Sequence, residues 1–204
     1  MRRGHTLPVR LILLSLLACL ATSPARAQAP SGVPVFQITP VQSTIKFDVE
    51  ASVAIEGTFD HWDASLTFTS PAAESAVFDV KIYAASVDTG SSIKNNKLKG
   101  KDFFDVQNNP LITFKSTKVV QTGPNTFELD GNFTIRGVTK PEHLVLNISG
   151  KGTGQGTIQG TMAFDRRDYG MNSSIPFIKI AHRVQVMVSL IGKRIAGAPV
   201  VFKQ

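Results

Sequence analysis

Apolar and polar residues alternate one by one along most of the chain from Thr44 onward. A period of two is typical of β-strands that bury one face and expose the other. The alternation predicts eight long strands, which a short strand at 35–38 precedes. The long strands cover residues 43–55, 58–69, 76–86, 110–121, 125–135, 141–150, 155–164 and 182–191.

Short turn sequences separate most of these strands, so neighbours along the chain should pair antiparallel. Only residues 91–100 favour a helix, with Ser91 or Ser92 as its N-cap. Closure into an eight-stranded up-and-down barrel would bury every apolar face and leave no edge strand. A barrel of this size either fills with side chains or holds one small ligand. A β-sandwich is the alternative, which periodicity alone does not separate from the barrel.

The first 27 residues do not follow the alternation. Three arginines precede an apolar run at 11–21, and Ala25-Arg26-Ala27 is similar to a signal-peptidase site. These features predict a secretory signal peptide that is removed before Gln28. The apolar run is shorter than the roughly 20 residues of a spanning helix, so we expect an exported protein that does not cross the membrane. A lipid anchor at Cys19 is the alternative.

Removal of this segment changes what the composition implies. The 204-residue chain has a net charge of +7, and cleavage would remove four arginines and no acid, which leaves +3. That balance does not indicate a nucleic-acid partner. The only cysteine would also be lost, so we expect no disulfide, no cysteine–zinc site and no cysteine nucleophile.

Four segments resemble, in the same order, the YceI-like family of bacterial periplasmic proteins. They are STIKF at 43–47 with GTF at 57–59, LKGKDFFDV at 98–106 with PLITFKS at 110–116, GNFTIRGVTKP at 131–141, and RRDYG at 166–170. The resemblance implies a lipocalin-like barrel over residues 35–192, between a flexible segment at 28–34 and a C-terminal tail at 193–204. It also implies a periplasmic location and an apolar tunnel for a long-chain amphiphile, typically a quinone or a prenyl phosphate.

Large apolar side chains on the inward face would line such a tunnel, or would fill it as an ordinary core. Phe103 and Phe104 are neighbours and cannot both face inward on a strand. They could lie on a short helical plug that seals an end of the barrel, or in a turn anchored by core packing. The predicted tunnel residues are Phe47, Val49, Phe78, Val80, Phe103, Phe104, Phe114, Phe127, Phe133, Phe164 and Val186.

Candidates for the polar head group lie in two places. Lys97 and Lys101 belong to a run of four lysines at 94–101, where relatives commonly carry an Arg-Asp-x-His-Leu sequence. The alternative for the lysines is a solvated charged face. Arg166 and Asp168 would share one face of a strand, where they could contact the head group or form an ion pair with each other.

No pattern in the sequence indicates catalysis, a metal site or a cofactor. Nucleophile motifs and glycine-rich phosphate loops are absent, and the histidines are scattered. We therefore expect a non-enzymatic carrier of a long-chain amphiphilic lipid that binds an isoprenoid or a fatty acid. The alternative is a filled barrel that acts in envelope stress through a protein partner. A homodimer is compatible with the sequence, which carries no interface signature.

Overall fold

The computed structural model describes residues 32–52, 55–173 and 179–204, so the predicted signal peptide and Cys19 lie outside it. The described residues form one antiparallel sheet of ten strands, curled into a half-barrel, and one α-helix, α1 (Ser92–Lys99). The strands are β1 (Val35–Ala51), β2 (Ile55–Phe59), β3 (Trp62–Phe68), β4 (Ala76–Tyr83), β5 (Val87–Asp88), β6 (Leu111–Gln121), β7 (Thr126–Ile135), β8 (Val138–Ile148), β9 (Gln155–Asp165) and β10 (Ile180–Ala196).

Strand pairing explains the curl of the sheet. The strand order is β3-β4-β6-β7-β8-β9-β10-β1-β2-β5. Only Asp60 and His61 separate β2 from β3, yet β2 pairs with β1 and β3 pairs with β4, near opposite ends of that order. The sheet must curl for a two-residue bend to connect the two regions, and its apolar side chains line the concave face.

The prediction of an all-β antiparallel fold with a short helix is confirmed, but the closed eight-stranded barrel is wrong, because the sheet is a half-barrel of ten strands. The predicted strand 58–69 bends at Asp60–His61, where the backbone N–H groups of Asp60 and Tyr83 donate to the carbonyls of Ser86 and His61. The predicted strand 76–86 ends early, at Tyr83, because a 3₁₀ turn at Ala84–Ser86 follows. The two-residue strand β5 comes after this turn, outside the predicted range. One divided strand and one additional short strand give ten.

The short strand predicted at 35–38 is not separate, because it is the first part of β1. The register of β1 against β10 shifts between Thr39 and Thr44. Pro40 lies in this bulge, where its missing N–H costs no ladder hydrogen bond.

Alternation along the strands places the core as predicted. In β7, Phe127, Leu129, Phe133 and Ile135 are buried on the concave face. Gly131 occupies the same face, and a Cβ there would lie 2.5 Å from the Phe114 ring. Glycine at this position therefore lets that ring lie across β7.

The C-terminal residues are more ordered than a tail suggests. Strand β10 continues to Ala196, beyond the predicted end of the domain at 192. Residues 199–204, here called the C-terminal strap, cross the end of the sheet near the 3₁₀ turn Ala73–Ser75. The Val201 N–H donates to the Pro71 carbonyl at 2.8 Å, and the Val201 carbonyl accepts from the Ala73 N–H at 2.8 Å.

Candidate functional site

The larger of two apolar cavities lies at the end of the half-barrel that carries the glycine-rich β8–β9 loop. This loop-end cavity measures about 930 Å³ with the open space at its mouth included. Its buried walls come from five strands and include Phe78, Phe127, Leu129, Leu146 and Ile158. Residues 149–156 of the loop and Pro199, Val200 and Phe202 of the strap border it. A body of apolar side chains with a small polar rim is typical of a small-molecule site.

Side-chain contacts hold the strap against this cavity. The Phe202 ring lies 6.1 Å from the Phe127 ring, and Lys203 Nζ lies 2.6 Å from Glu74 Oε2. The Gln121 side chain donates to the Lys203 carbonyl at 2.9 Å and accepts from its N–H at 2.8 Å. The strap is therefore anchored on both sides of Phe202.

The interaction between Glu74 and the strap depends on pH. Hydrogen bonds from Lys203 and from the Gln121 backbone N–H hold the pKa of this carboxyl below its usual 4.5. A lowered folded-state pKa stabilises the folded form only while the group is ionised. The contribution of Glu74 to folding stability is therefore complete above about pH 4.5, and it is lost as the pH falls through the lowered pKa.

We expect Glu74→Ala to raise the amide hydrogen-exchange rate of residues 199–204 severalfold at neutral pH, because the strap loses an anchor and opens locally more often. The exposed Glu56→Ala on β2 is the matched control and should leave these amides unchanged. Equal protection of the strap in both variants would contradict the anchoring role.

A second, smaller cavity lies at the opposite end, beside α1. This helix-end cavity measures about 660 Å³ with the open space at its mouth included, and Arg166 is the only polar residue among its described lining residues. Phe103 and Phe104 close it, both of them buried. They lie in turns after α1, where the Phe103 N–H donates to the Gly100 carbonyl and the Phe104 N–H to the Leu98 carbonyl. Of the two predicted arrangements, the structure has the turn anchored by core packing.

A layer of buried side chains separates the two cavities. Ile45, Val80, Phe114 and Leu190 belong to it and line neither cavity. Among the predicted tunnel residues, Phe78 and Phe127 line the loop-end cavity, whereas Val80 and Phe114 lie in this layer. The others line the helix-end cavity: Phe47, Val49, Phe103, Phe104, Phe133, Phe164 and Val186. Their contact with a ligand stays a prediction.

Arg166 is buried at the edge of the helix-end cavity, with 6% of its surface exposed. Its guanidinium donates to the backbone carbonyls of Ala181 at 3.0 Å, Ser173 at 3.2 Å and Met171. Burial lowers the pKa of Arg166 because the charged form loses hydration. Its polar contacts in the structure are therefore main-chain oxygens.

The predicted ion pair between Arg166 and Asp168 is wrong. Residues Arg166–Tyr169 form a 3₁₀ turn, which Asp165 caps by accepting from the Arg167 N–H. The two side chains therefore do not share a strand face, and Asp168 pairs with Lys140 at 3.3 Å instead.

The four head-group candidates are not brought together at a cavity. Lys97 Nζ lies 2.7 Å from Asp102 Oδ2, in a pair with both side chains about half exposed. Lys101 is exposed, and neither lysine lines the helix-end cavity. Of the four, only Arg166 does. That Lys97 and Lys101 hold a head group stays a prediction.

Two cations that were not predicted from the sequence, Lys151 and Arg194, line the loop-end cavity. Lys151 lies among the glycines of the β8–β9 loop. Arg194 continues the inward alternation of Leu190 and Gly192, beyond the predicted end of the strand. Extending the period-two pattern by four residues would have placed Arg194 on the concave face.

Metal and membrane features were sought in residues 32–52, 55–173 and 179–204. Those residues contain no group of three or more His, Cys, Asp or Glu side chains placed to hold a metal ion. They also contain no helix of sufficient length and apolarity to span a bilayer.

Comparison with known families shows to which family the chain belongs. The family profile described as the YceI-like domain matches residues 36–191. The chain belongs to the YceI-like family. Among its YceI-like relatives, a UPF0312 protein of Azotobacter vinelandii is 29% identical over 143 residues, which cover 68% of this chain and 73% of the relative. A UPF0312 protein of Pseudomonas syringae pv. tomato is 31% identical over 127 residues, which cover 60% and 66%.

Solved structures share the YceI-like fold. BcnA of Burkholderia cenocepacia superimposes with a TM-score of 0.69 at 23% identity, covering 76% of this chain and 99% of that one. A mutant YceI protein of Campylobacter jejuni gives a TM-score of 0.57 at 26% identity, covering 67% and 83%. A domain of Saccharophagus degradans described as polyisoprenoid-binding gives 0.63 at 15% identity, covering 79% and 99%.

Proposed function

We propose that this YceI-like protein binds and carries a long-chain isoprenoid, either a quinone or a prenyl phosphate, or a related lipid, in the periplasm. The apolar tail lies on the concave face in the loop-end cavity, where it contacts Phe78 and Phe127 of the predicted tunnel residues. The signal-peptide features of residues 1–27 support export, and a solved relative of the same fold is described as polyisoprenoid-binding.

The observation that carries the proposal is the loop-end cavity. Its walls are almost entirely apolar, and an apolar wall with few polar groups is typical of small-molecule sites. Transfer of a tail from water into such a cavity contributes roughly 0.8 kcal/mol for each buried CH₂ group. A tail of many carbons therefore needs few polar contacts to bind.

Mass spectrometry of an organic extract tests the proposal directly. The protein is purified gently from its native periplasm without detergent, extracted, and its lipid content compared with its molar amount. We expect about one isoprenoid or fatty-acid molecule for each protein molecule, because a barrel of about this size has room for one small ligand. A second periplasmic protein carried through the same purification controls for co-purified membrane lipid.

A blank extract, repeated after incubation with a quinone and a prenyl phosphate, would contradict the carrier proposal. The central layer of Ile45, Val80, Phe114 and Leu190 would then be part of a permanently filled interior. Action through a protein partner would become the leading interpretation.

A further inference from the structure

Lys151 and Arg194 form a pair of half-buried cations at the mouth of the loop-end cavity. Lys151 Nζ donates to the Pro124 carbonyl, and Arg194 Nη1 donates to the Gly197 carbonyl at 2.7 Å. Neither cation forms an ion pair with a carboxylate of the described residues. Lys151 Nζ also lies 4.5 Å from the centre of the Phe202 ring. The partners of both cations are therefore neutral groups, and neither charge is paired with a negative one.

The surroundings of these cations suit a negatively charged group. No Asp or Glu is among the described residues that line the loop-end cavity. Glu74, which lies under the strap, already pairs with Lys203. A positive charge beside an apolar wall attracts an anion more strongly than it would in water, because the local dielectric constant is lower.

Space for such a group lies above the β8–β9 loop. Gly152 and Gly154 both line the cavity, and a Cβ on either would meet no atom within 4 Å. No other residue therefore covers the loop backbone at these two glycines.

The opposite end of the half-barrel lacks this arrangement. Lys97 is paired with Asp102 outside the cavity, and Arg166 is occupied by main-chain carbonyls. At the loop end of the described structure, therefore, two cations that pair with no carboxylate lie at the same cavity as loop backbone that no other residue covers.

We propose that the loop-end cavity is the mouth of the site and that its ligand is an anionic amphiphile. The tail lies against Phe78 and Phe127, and a carboxylate, phosphate or diphosphate head group contacts Lys151 and Arg194. This inference rests on the proposed carrier function and adds the entry end and the charge of the ligand.

Binding of three probes to two double variants tests the inference. The probes are farnesyl diphosphate, palmitate and the uncharged farnesol, each titrated by calorimetry. K151M/R194M removes both mouth cations and keeps their apolar stems, and K97M/K101M removes the same charge at the other end. We expect K151M/R194M to lose roughly tenfold or more in affinity for both anions, since charge-assisted hydrogen bonds are lost, and to bind farnesol within about twofold.

A third variant keeps the test independent of folding defects in K151M/R194M. Gln155→Glu adds one negative charge at the rim of the cavity without a change of size. We expect it to weaken farnesyl diphosphate binding, to leave farnesol binding unchanged, and to lose this effect at high salt.

The possible failures are distinguishable. Equal losses for farnesyl diphosphate and farnesol, or a selective loss of anions in K97M/K101M, would overturn the mouth assignment. Equal affinity of the unmodified protein for farnesyl diphosphate and farnesol would overturn the anionic head group and leave the carrier function intact. Binding of none of the probes would overturn the carrier function and this inference together.

Discussion

Replacing Arg166 with methionine is expected to lower the free energy of unfolding by about 3 kcal/mol, because buried carbonyls lose charge-assisted donors that water cannot replace. Arg166 donates to the carbonyls of Met171, Ser173 and Ala181, and so connects the turn after β9 to the start of β10. Urea denaturation followed by the fluorescence of Trp62, the only tryptophan, measures the loss.

The neighbouring Arg167→Met is the matched control. Its side chain is 51% exposed and pairs with Asp165 at 2.5 Å. An exposed pair of this kind contributes about 1 kcal/mol at most, so the variant should unfold near the same urea concentration as the unmodified protein. Similar stabilities for the Arg166 and Arg167 variants would show that the buried guanidinium is dispensable.

Replacing Gly192 with phenylalanine is expected to weaken farnesol binding about a hundredfold. Gly192 lies on the concave face of β10 and lines the loop-end cavity. A Cβ there would approach side-chain atoms and no backbone, namely Ile38 Cδ1 at 3.3 Å, Phe36 Cδ1 at 3.8 Å and Ile158 Cδ1 at 4.0 Å. A phenylalanine ring would occupy the volume of several CH₂ groups of the tail, and the loss of about four of them amounts to roughly 3 kcal/mol.

Two further variants make this prediction specific. Gly192→Ala adds a single methyl group and should keep most of the affinity, which separates cavity filling from any effect on the strand. Val186→Phe places the same ring in the helix-end cavity and should change farnesol affinity much less. The reverse ranking of Gly192→Phe and Val186→Phe would place the tail at the helix end.

The core could be predicted from the sequence because period-two burial is a local property of a strand. The inner face could be assigned without knowledge of strand pairing to Phe47, Phe78 and Phe133, all of which are buried. The bend at Asp60–His61 could not be predicted in this way. No glycine or proline marks it, and it exists because the residues on either side pair with different strands, β1 and β4.

The same distinction between local and long-range structure applies to the candidate site. The apolar walls follow from alternation, whereas the positions of the charges depend on how strands end. Arg166 and Asp168 were treated as strand neighbours, but the chain turns immediately after Asp165, and Gly170 ends this turn with a φ of 74°. Lys151 reaches the loop-end cavity only because the β8–β9 loop folds over it.

The pairing of the first and last long strands governs when this protein can fold. β1 and β10 lie side by side from Val35–Ala196 to Ala51–Ile180. As the chain emerges with its N-terminus first, β1 has only β2 beside it, and its other edge stays open until β10 has also emerged. Pairings between distant parts of a chain form slowly, and an open edge is free to pair with other chains in the meantime. β1 therefore lacks its second neighbour until the last strand has emerged, and the sheet cannot be completed before then.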